Sequence, residues 1–291
     1  MTTTSAVKMK NIKKRTSSGI SIFIDLLGFG RKILDATSYK DISKLADSLD
    51  IVRDAFDYKK KGAPSSTEEK RYALSDSVIT FIPLKSEAMK YTNSFDVLLN
   101  EITTLAYDQM ICIEHGIFIR GGVSYGWFYE DGDNFISDAL TQAAALEKEI
   151  WAPVIGISDH TINYFKEHNA RNFYSEDSDP LNRKTFLKMR RNMKTFYYLN
   201  YLKIAIEAVS PKVNEEFRAL LRSDDQNKIN EAYWHAQAEA LLLHKQQILK
   251  AVKKIKDKEI RKKYQWLVNY HNKFSKPYIK VNPAVMIENI V

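Results

Sequence analysis

One charge at the end of an apolar run constrains this chain more than any other feature. Ser21 to Leu26 is largely apolar apart from Asp25, and it leads straight into Leu27-Gly28-Phe29-Gly30. Such a run reads as a buried strand entering a turn that opens a helix. A carboxylate in that position is costly unless it is paired or bound to a metal. The free backbone N–H groups at a helix start suit phosphate.

The remaining sequence sets broad limits on the fold. Its 291 residues, 44% hydrophobic and 12% aromatic, can bury one substantial core or a core domain with a smaller appended element. The SISIFIDLLGFG stretch is short and interrupted by Asp25, and no segment approaches the roughly 20 uncharged apolar residues of a membrane span. Residues 1–19 are basic and polar without an apolar signal core, so they read as a loosely ordered arm. The single cysteine, Cys112, rules out a disulfide within one chain and fits a reducing compartment, so cytoplasm is the expected location. A net charge of +8 fits nucleic acid, an anionic membrane surface or a polyanionic small substrate, and does not choose among them.

Along the chain, Tyr39 to Tyr58 places Ile42, Leu45, Leu49, Val52 and Phe56 at helical spacing before the loop-forming stretch 59–70. Arg71 to Phe81 reads as a hairpin with Asp76 at its tip. Ser86 to His115 reads as one long helix ended by Gly116, followed by a strand over Ile117 to Tyr125. Gly121, Gly122 and Gly126 keep the backbone open there. A helix over Ala139 to Ile150 and a short strand over Val154 to Ile157 follow. This order predicts an α/β (α+β) sandwich. Lys203 to Phe274, rich in Ala, Leu, Lys, Glu and Gln, reads as two or more long helices, which predicts a core over residues 20–202 and a mostly helical extension over 203–291.

Asp25 and Asp76, if brought together, form a hard-oxygen site for Mg²⁺ or Mn²⁺ carrying a triphosphate. Taken singly, Asp25 could instead cap a helix and Asp76 simply make a turn. Four segments in register decide how the two are read. Ile24-Asp25-Leu26-Leu27-Gly28-Phe29, Ser75-Asp76-Ser77 with the strand after it, Arg120-Gly121-Gly122-Val123-Ser124-Tyr125-Gly126, and the helix Ser137 to Leu146 together resemble the class III nucleotide cyclase catalytic domain over about residues 20–160. Ala139 to Ile157 and the Arg120 strand are also similar to the bacterial pyrimidine cyclases of the Pycsar anti-phage system.

The resemblance implies a cyclase-like sheet sandwich with a βααββαβ core and a C-terminal helical extension. It implies two divalent metals, Mn²⁺ or Mg²⁺, held by Asp25, Asp76 and the backbone of Leu26, with the phosphates on the backbone of Leu27, Gly28, Phe29 and Gly30. It further implies a homodimer whose active sites lie at the subunit interface, UTP or CTP as substrate, and a separately encoded effector activated by the product. Neither membrane nor nucleic acid is an expected partner.

Departures from the family pattern sharpen the reading. Purine-specific members carry Lys where this chain has Tyr72 and an acidic residue where it has Asn134, so groups that read adenine are replaced and a pyrimidine is implied. Tyr72 also reads as an ordinary aromatic strand residue. The family's helix Asn and Arg are Thr141 and Ala145 here. Losing one such electrostatic contact can cost roughly 10²–10³ in rate. The chain is then either a degenerate cyclase that only senses nucleotides or one in which Arg120, Lys70 or Arg71 supplies the cation; Arg120 equally suits a structural ion pair. The basic run His244 to Lys263 reads as a solvated helix face, Trp234, Trp266, Tyr233 and Tyr264 as packing residues, and His115 and His160 have no metal-ligand spacing.

Overall fold

The computed structural model describes residues 12, 15–56, 68–131, 134–223, 225–253, 255 and 257–288, with Asn134 as backbone only. Most of the expected basic arm, and the loop over 59–70 as far as residue 67, lie outside the described residues. The elements are β1 (Thr16–Leu26), α1 (Phe29–Leu34), α2 (Tyr39–Ala55), β2 (Lys70–Leu74), β3 (Ser77–Pro83), α3 (Glu87–Tyr91), α4 (Ser94–Glu114), β4 (Ile119–Asp131), β5 (Asn134–Ser137), α5 (Asp138–Ile150), β6 (Ile155–Ile157), α6 (Asp159–Glu167), β7 (Phe186–Arg191), β8 (Lys194–Leu199), α7 (Tyr201–Glu207), α8 (Glu215–Arg222), α9 (Gln226–Val252) and α10 (Lys258–Ser275). The fold is α/β, as expected. One eight-stranded sheet runs in the order β2-β3-β1-β4-β6-β8-β7, with β5 paired to β4. β4 and β6 are parallel and the other pairings antiparallel.

β1 holds the centre because its alternation gives the sheet two distinct faces. Ile20, Ile22, Ile24 and Leu26 are all buried on one face. Each such side chain contributes about 1.5–3 kcal/mol relative to exposure. Gly19, Ser21, Phe23 and Asp25 point the other way. That second face is where α5 packs, through Ala139, Ala143, Glu147 and Ile150, all buried. Ser137 caps α5, its hydroxyl accepting from the Leu140 N–H at 3.0 Å. The approach requires glycine on β4, since a Cβ on Gly122 would lie 2.1 Å from the Ala143 carbonyl oxygen and one on Gly126 2.5 Å from Asp138 Oδ1.

Several expectations are corrected. β1 begins at Thr16, so the arm expected to end at residue 19 is already strand there. The helix expected over Ser86 to His115 is two helices, because Asn93 accepts from the Asp96 N–H at 2.8 Å and starts α4 afresh. β4 continues to Asp131, and the β7–β8 hairpin has no counterpart in the sequence reading. The basic run from His244 to Lys263 spans the end of α9 and the start of α10 rather than one helix.

Contacts divide the described chain into two compact units. One holds the residues up to Leu105 together with Ile119–Leu199; the other holds Ala106–Phe118 and the residues from Asn200 onward. In the second unit Trp234 packs on Tyr278, Trp266 on Tyr270, Tyr233 on Phe217 and Tyr264 on Phe118, with ring centroids 4.8–6.0 Å apart. Its core also contains two buried histidines. His271 Nε2 lies 2.8 Å from the Val285 carbonyl, which can only accept, so that nitrogen carries the proton. His271 Nδ1 then accepts from His244 Nδ1–H at 2.8 Å, and His244 Nε2 accepts the Tyr201 hydroxyl proton at 2.8 Å. Burial is the main cause holding both rings below the ordinary imidazole range, His271 at about 4.

Candidate active site

Strand register builds the site. Asp25, next to the last residue of β1, stands opposite Ser77 on β3 and Arg120 on β4. Ser75 and Asp76 form the two-residue turn between β2 and β3, with Ser75 in the left-handed region at φ 53. Because Ser77 pairs with Asp25, the preceding Asp76 is brought beside it. Burial is the largest influence on the Asp25 carboxyl and pushes it above its ordinary value; Arg120 opposes this, while the negative charge of Asp76 and a hydrogen bond between the two carboxyls add to it. The two acidic side chains, distant in sequence, therefore meet.

Arg120 links this pair to the helix above the sheet. Its Nη2 and Nε donate to Asp25 Oδ2 at 3.0 and 3.2 Å, and its Nε also pairs with Glu147 Oε1. Glu147 is almost wholly buried, with a side-chain exposure of 2%. One guanidinium thus pairs with two carboxylates, Asp25 and Glu147, and Asp76 stands beside the first of them. A set of hard oxygens with surplus negative charge fits a divalent cation. Among the described residues no group of three or more His, Cys, Asp or Glu side chains is arranged to hold a metal ion. Two carboxylates suffice for Mg²⁺, which keeps water and substrate oxygens in its remaining positions.

The segment after Asp25 offers backbone rather than side chains. Gly28 takes φ 74, a conformation that favours glycine, and leads into α1 without any side-chain cap or acidic residue in the first turn. Leu27 and Phe29 are buried, whereas Gly30 is exposed.

Tyr72 lies on the same face of the sheet as Asp25, paired with Ile79, which pairs in turn with Phe23. Its hydroxyl donates to Glu130 Oε1 at 2.5 Å and its ring stacks 4.7 Å from Phe135. Lys70 pairs with the other oxygen of Glu130. Asn134 pairs with Asp131 through its backbone, and its side chain lies outside the described residues. Thr141 is exposed and its hydroxyl donates to the Ser137 carbonyl at 2.8 Å. It lies on the side of α5 away from Ala143 and Glu147, so the fold of one chain does not bring it to the carboxylate pair. Asp25, Asp76 and Arg120 do come together.

Sequence reasoning missed two residues. Glu147 follows Ala139 and Ala143 at four-residue spacing on the buried stripe of α5, where a lone charge is the detectable signal. Glu130 gave none, because β4 extends beyond the strand expected to end at Tyr125.

No protein-family model and no curated protein matches the sequence. Solved structures similar to this chain include a bacterial light-regulated adenylyl cyclase (14% identity, 65% of this chain and 95% of that one, TM-score 0.39). The adenylyl cyclase CyaB from P. aeruginosa is another (13%, 63% and 94%, TM-score 0.42). A class III adenylyl cyclase-like ATP-binding protein from Pseudomonas aeruginosa is similar over 82% of this chain and 60% of that one (10%, TM-score 0.40).

Proposed function

We propose that this chain is a pyrimidine nucleotide cyclase that converts UTP into 3′,5′-cyclic UMP and pyrophosphate. The observation that carries the reading is the meeting of Asp25 and Asp76 beside Arg120. Asp25, Asp76 and the Leu26 carbonyl would hold the divalent ions. Bound there, two Mn²⁺ or Mg²⁺ ions supply acidification of the ribose 3′-hydroxyl and charge neutralisation of the triphosphate. The 3′-oxygen bonds to the α-phosphorus as that phosphorus loses its bridging oxygen to the departing pyrophosphate, and the hydroxyl proton passes to solvent. Arg120 binds the negative charge of the phosphates, which the backbone from Leu27 to Gly30 receives.

The half-buried Tyr72 ring, held by Glu130 and Phe135, supports a one-ring base over a two-ring base, and Asn134 contributes a polar contact to it. CTP is the alternative pyrimidine. The site is completed in a homodimer by Thr141 of the partner subunit, and the cyclic product serves anti-phage defence in the cytoplasm by activating a separately encoded effector. The residues up to 202 form the catalytic domain, and those after it a helical extension.

Purified protein incubated with each of the four ribonucleoside triphosphates and Mn²⁺ is expected to yield cyclic UMP, identified by mass, and Asp76→Ala to lower the yield at least about 10²-fold, the scale of one lost electrostatic group. No cyclic product from any nucleotide, with Asp76→Ala behaving as wild type, removes the enzyme reading. A second reading, a nucleotide-sensing module without turnover, draws on the Thr141 hydroxyl being bound to Ser137 and on Ala145 at the family's Arg position. Tight UTP binding in calorimetry with no product by mass favours it.

A further inference from the structure

Arg120 poses a difficulty for the site it helps to form. Two of its N–H groups sit on Asp25 Oδ2, the carboxylate that would hold the metal ions. The guanidinium charge opposes a divalent ion on the same carboxylate and occupies the lone pairs of its Oδ2, so filling the site with metal favours withdrawal of Arg120 from Asp25. Moving a guanidinium off its carboxylate in a partly buried place is costly unless a second anion remains beside it.

We propose that Glu147 is that second anion and acts as a positioning residue: it keeps Arg120 charge-paired when the guanidinium leaves Asp25 and thereby frees Asp25 for the divalent ion. The proposal rests on the cyclase reading above. Its support is geometric. Arg120 stands between the two carboxylates, contacting both through the same Nε, so release from Asp25 needs only a small rotation and not a new partner. Glu147 stands one helical turn beyond Ala143 on the buried face of α5, and the Ala143 backbone sits directly against β4 at Gly122. Its carboxylate cannot follow Arg120 out to solvent, so it fixes where the guanidinium goes. A buried Glu with only a packing role would be easily replaced by an apolar residue; this one is placed where the sole described cation of the cluster needs a second partner.

Binding of Mn²⁺ to the full chain, read from the signal of free Mn²⁺ in electron paramagnetic resonance without nucleotide, tests this apart from turnover. Glu147→Gln removes the alternative anion and leaves Arg120 on Asp25. It is expected to weaken Mn²⁺ binding 10- to 100-fold, as for other groups that support metal ligands. Arg120→Gln removes the competing cation, so the Arg120→Gln, Glu147→Gln double variant is expected to bind Mn²⁺ at least as tightly as wild type. The double variant also keeps the test decisive if Glu147→Gln alone folds poorly. Wild-type affinity in Glu147→Gln, or a defect that persists undiminished in the double variant, overturns the proposal. Asp25→Asn serves as the reference: if wild type and Asp25→Asn bind Mn²⁺ alike, the cyclase reading fails first and takes the proposal with it, whereas a loss in Asp25→Asn alone overturns only the role of Glu147.

Discussion

Tyr72 shows how much one side chain carries here. It replaces a family lysine, and the structure gives it a hydrogen bond to Glu130 and a stacking partner in Phe135. Burial pushes its hydroxyl above the ordinary tyrosine range, so it stays a neutral donor through the physiological range. Tyr72→Lys exchanges that donor and ring for a flexible cation opposite the Glu130 carboxylate. The ratio of kcat/KM for UTP to that for ATP is expected to fall at least about tenfold, within the reach of one altered pocket contact. An unchanged ratio in competition assays excludes Tyr72 as the base reader. Asp25 and Asp76 were legible in the sequence because a charge inside an apolar strand and an acidic hairpin tip are local signals. Glu147 left only the signal of a charge on a buried helix stripe and Glu130 none, since their partners, Arg120 and Tyr72, are brought to them only by the folded sheet and helix.

At the scale of elements, the meeting of α5 and β4 decides whether Glu147 reaches Arg120. Gly122→Ala would place a Cβ 2.1 Å from the Ala143 carbonyl, a backbone atom that cannot rotate away. Overpacking of this kind costs about 1–3 kcal/mol. A thermal melt is expected to show a lower midpoint for Gly122→Ala, and a midpoint equal to wild type would mean that helix and strand can separate at no cost. Both elements were visible beforehand, as were β1, the β2–β3 hairpin and the C-terminal helices. The β7–β8 hairpin was not, because Lys188, Arg190, Arg191 and Lys194 hide its alternation and its turn uses Asn192 and Met193 at φ 46 and 62. Asparagine takes that conformation readily, but methionine does not announce it. The break before α4 was equally quiet, resting on one asparagine cap.

At the scale of the whole molecule, the second compact unit carries a pH dependence of its own. The second unit buries His244 and His271 as a neutral, fully bonded pair. In the unfolded chain both rings take up protons near their ordinary 6.5, whereas in the folded chain His271 does so only near 4 and burial holds His244 well below its ordinary value. Between those limits the unfolded state binds more protons, so stability is complete above about pH 6.5 and falls as pH drops toward 4. Melting midpoints measured from pH 7.5 to 4.5 are expected to decline, and replacing both histidines with glutamine to remove most of that slope; an unaltered slope assigns the acid sensitivity elsewhere. The sequence foretold an α/β sandwich but not the order of its strands, because pairings such as β4 with β6 and β6 with β8 are long-range. The joint between Gly122 and Ala143 has a last consequence. Strand backbone meets helix backbone there, so that contact contains no side chain whose rotamer could change to absorb an error. Any side chain larger than hydrogen at residue 122 must therefore push the whole helix away from the sheet, and Glu147 with it.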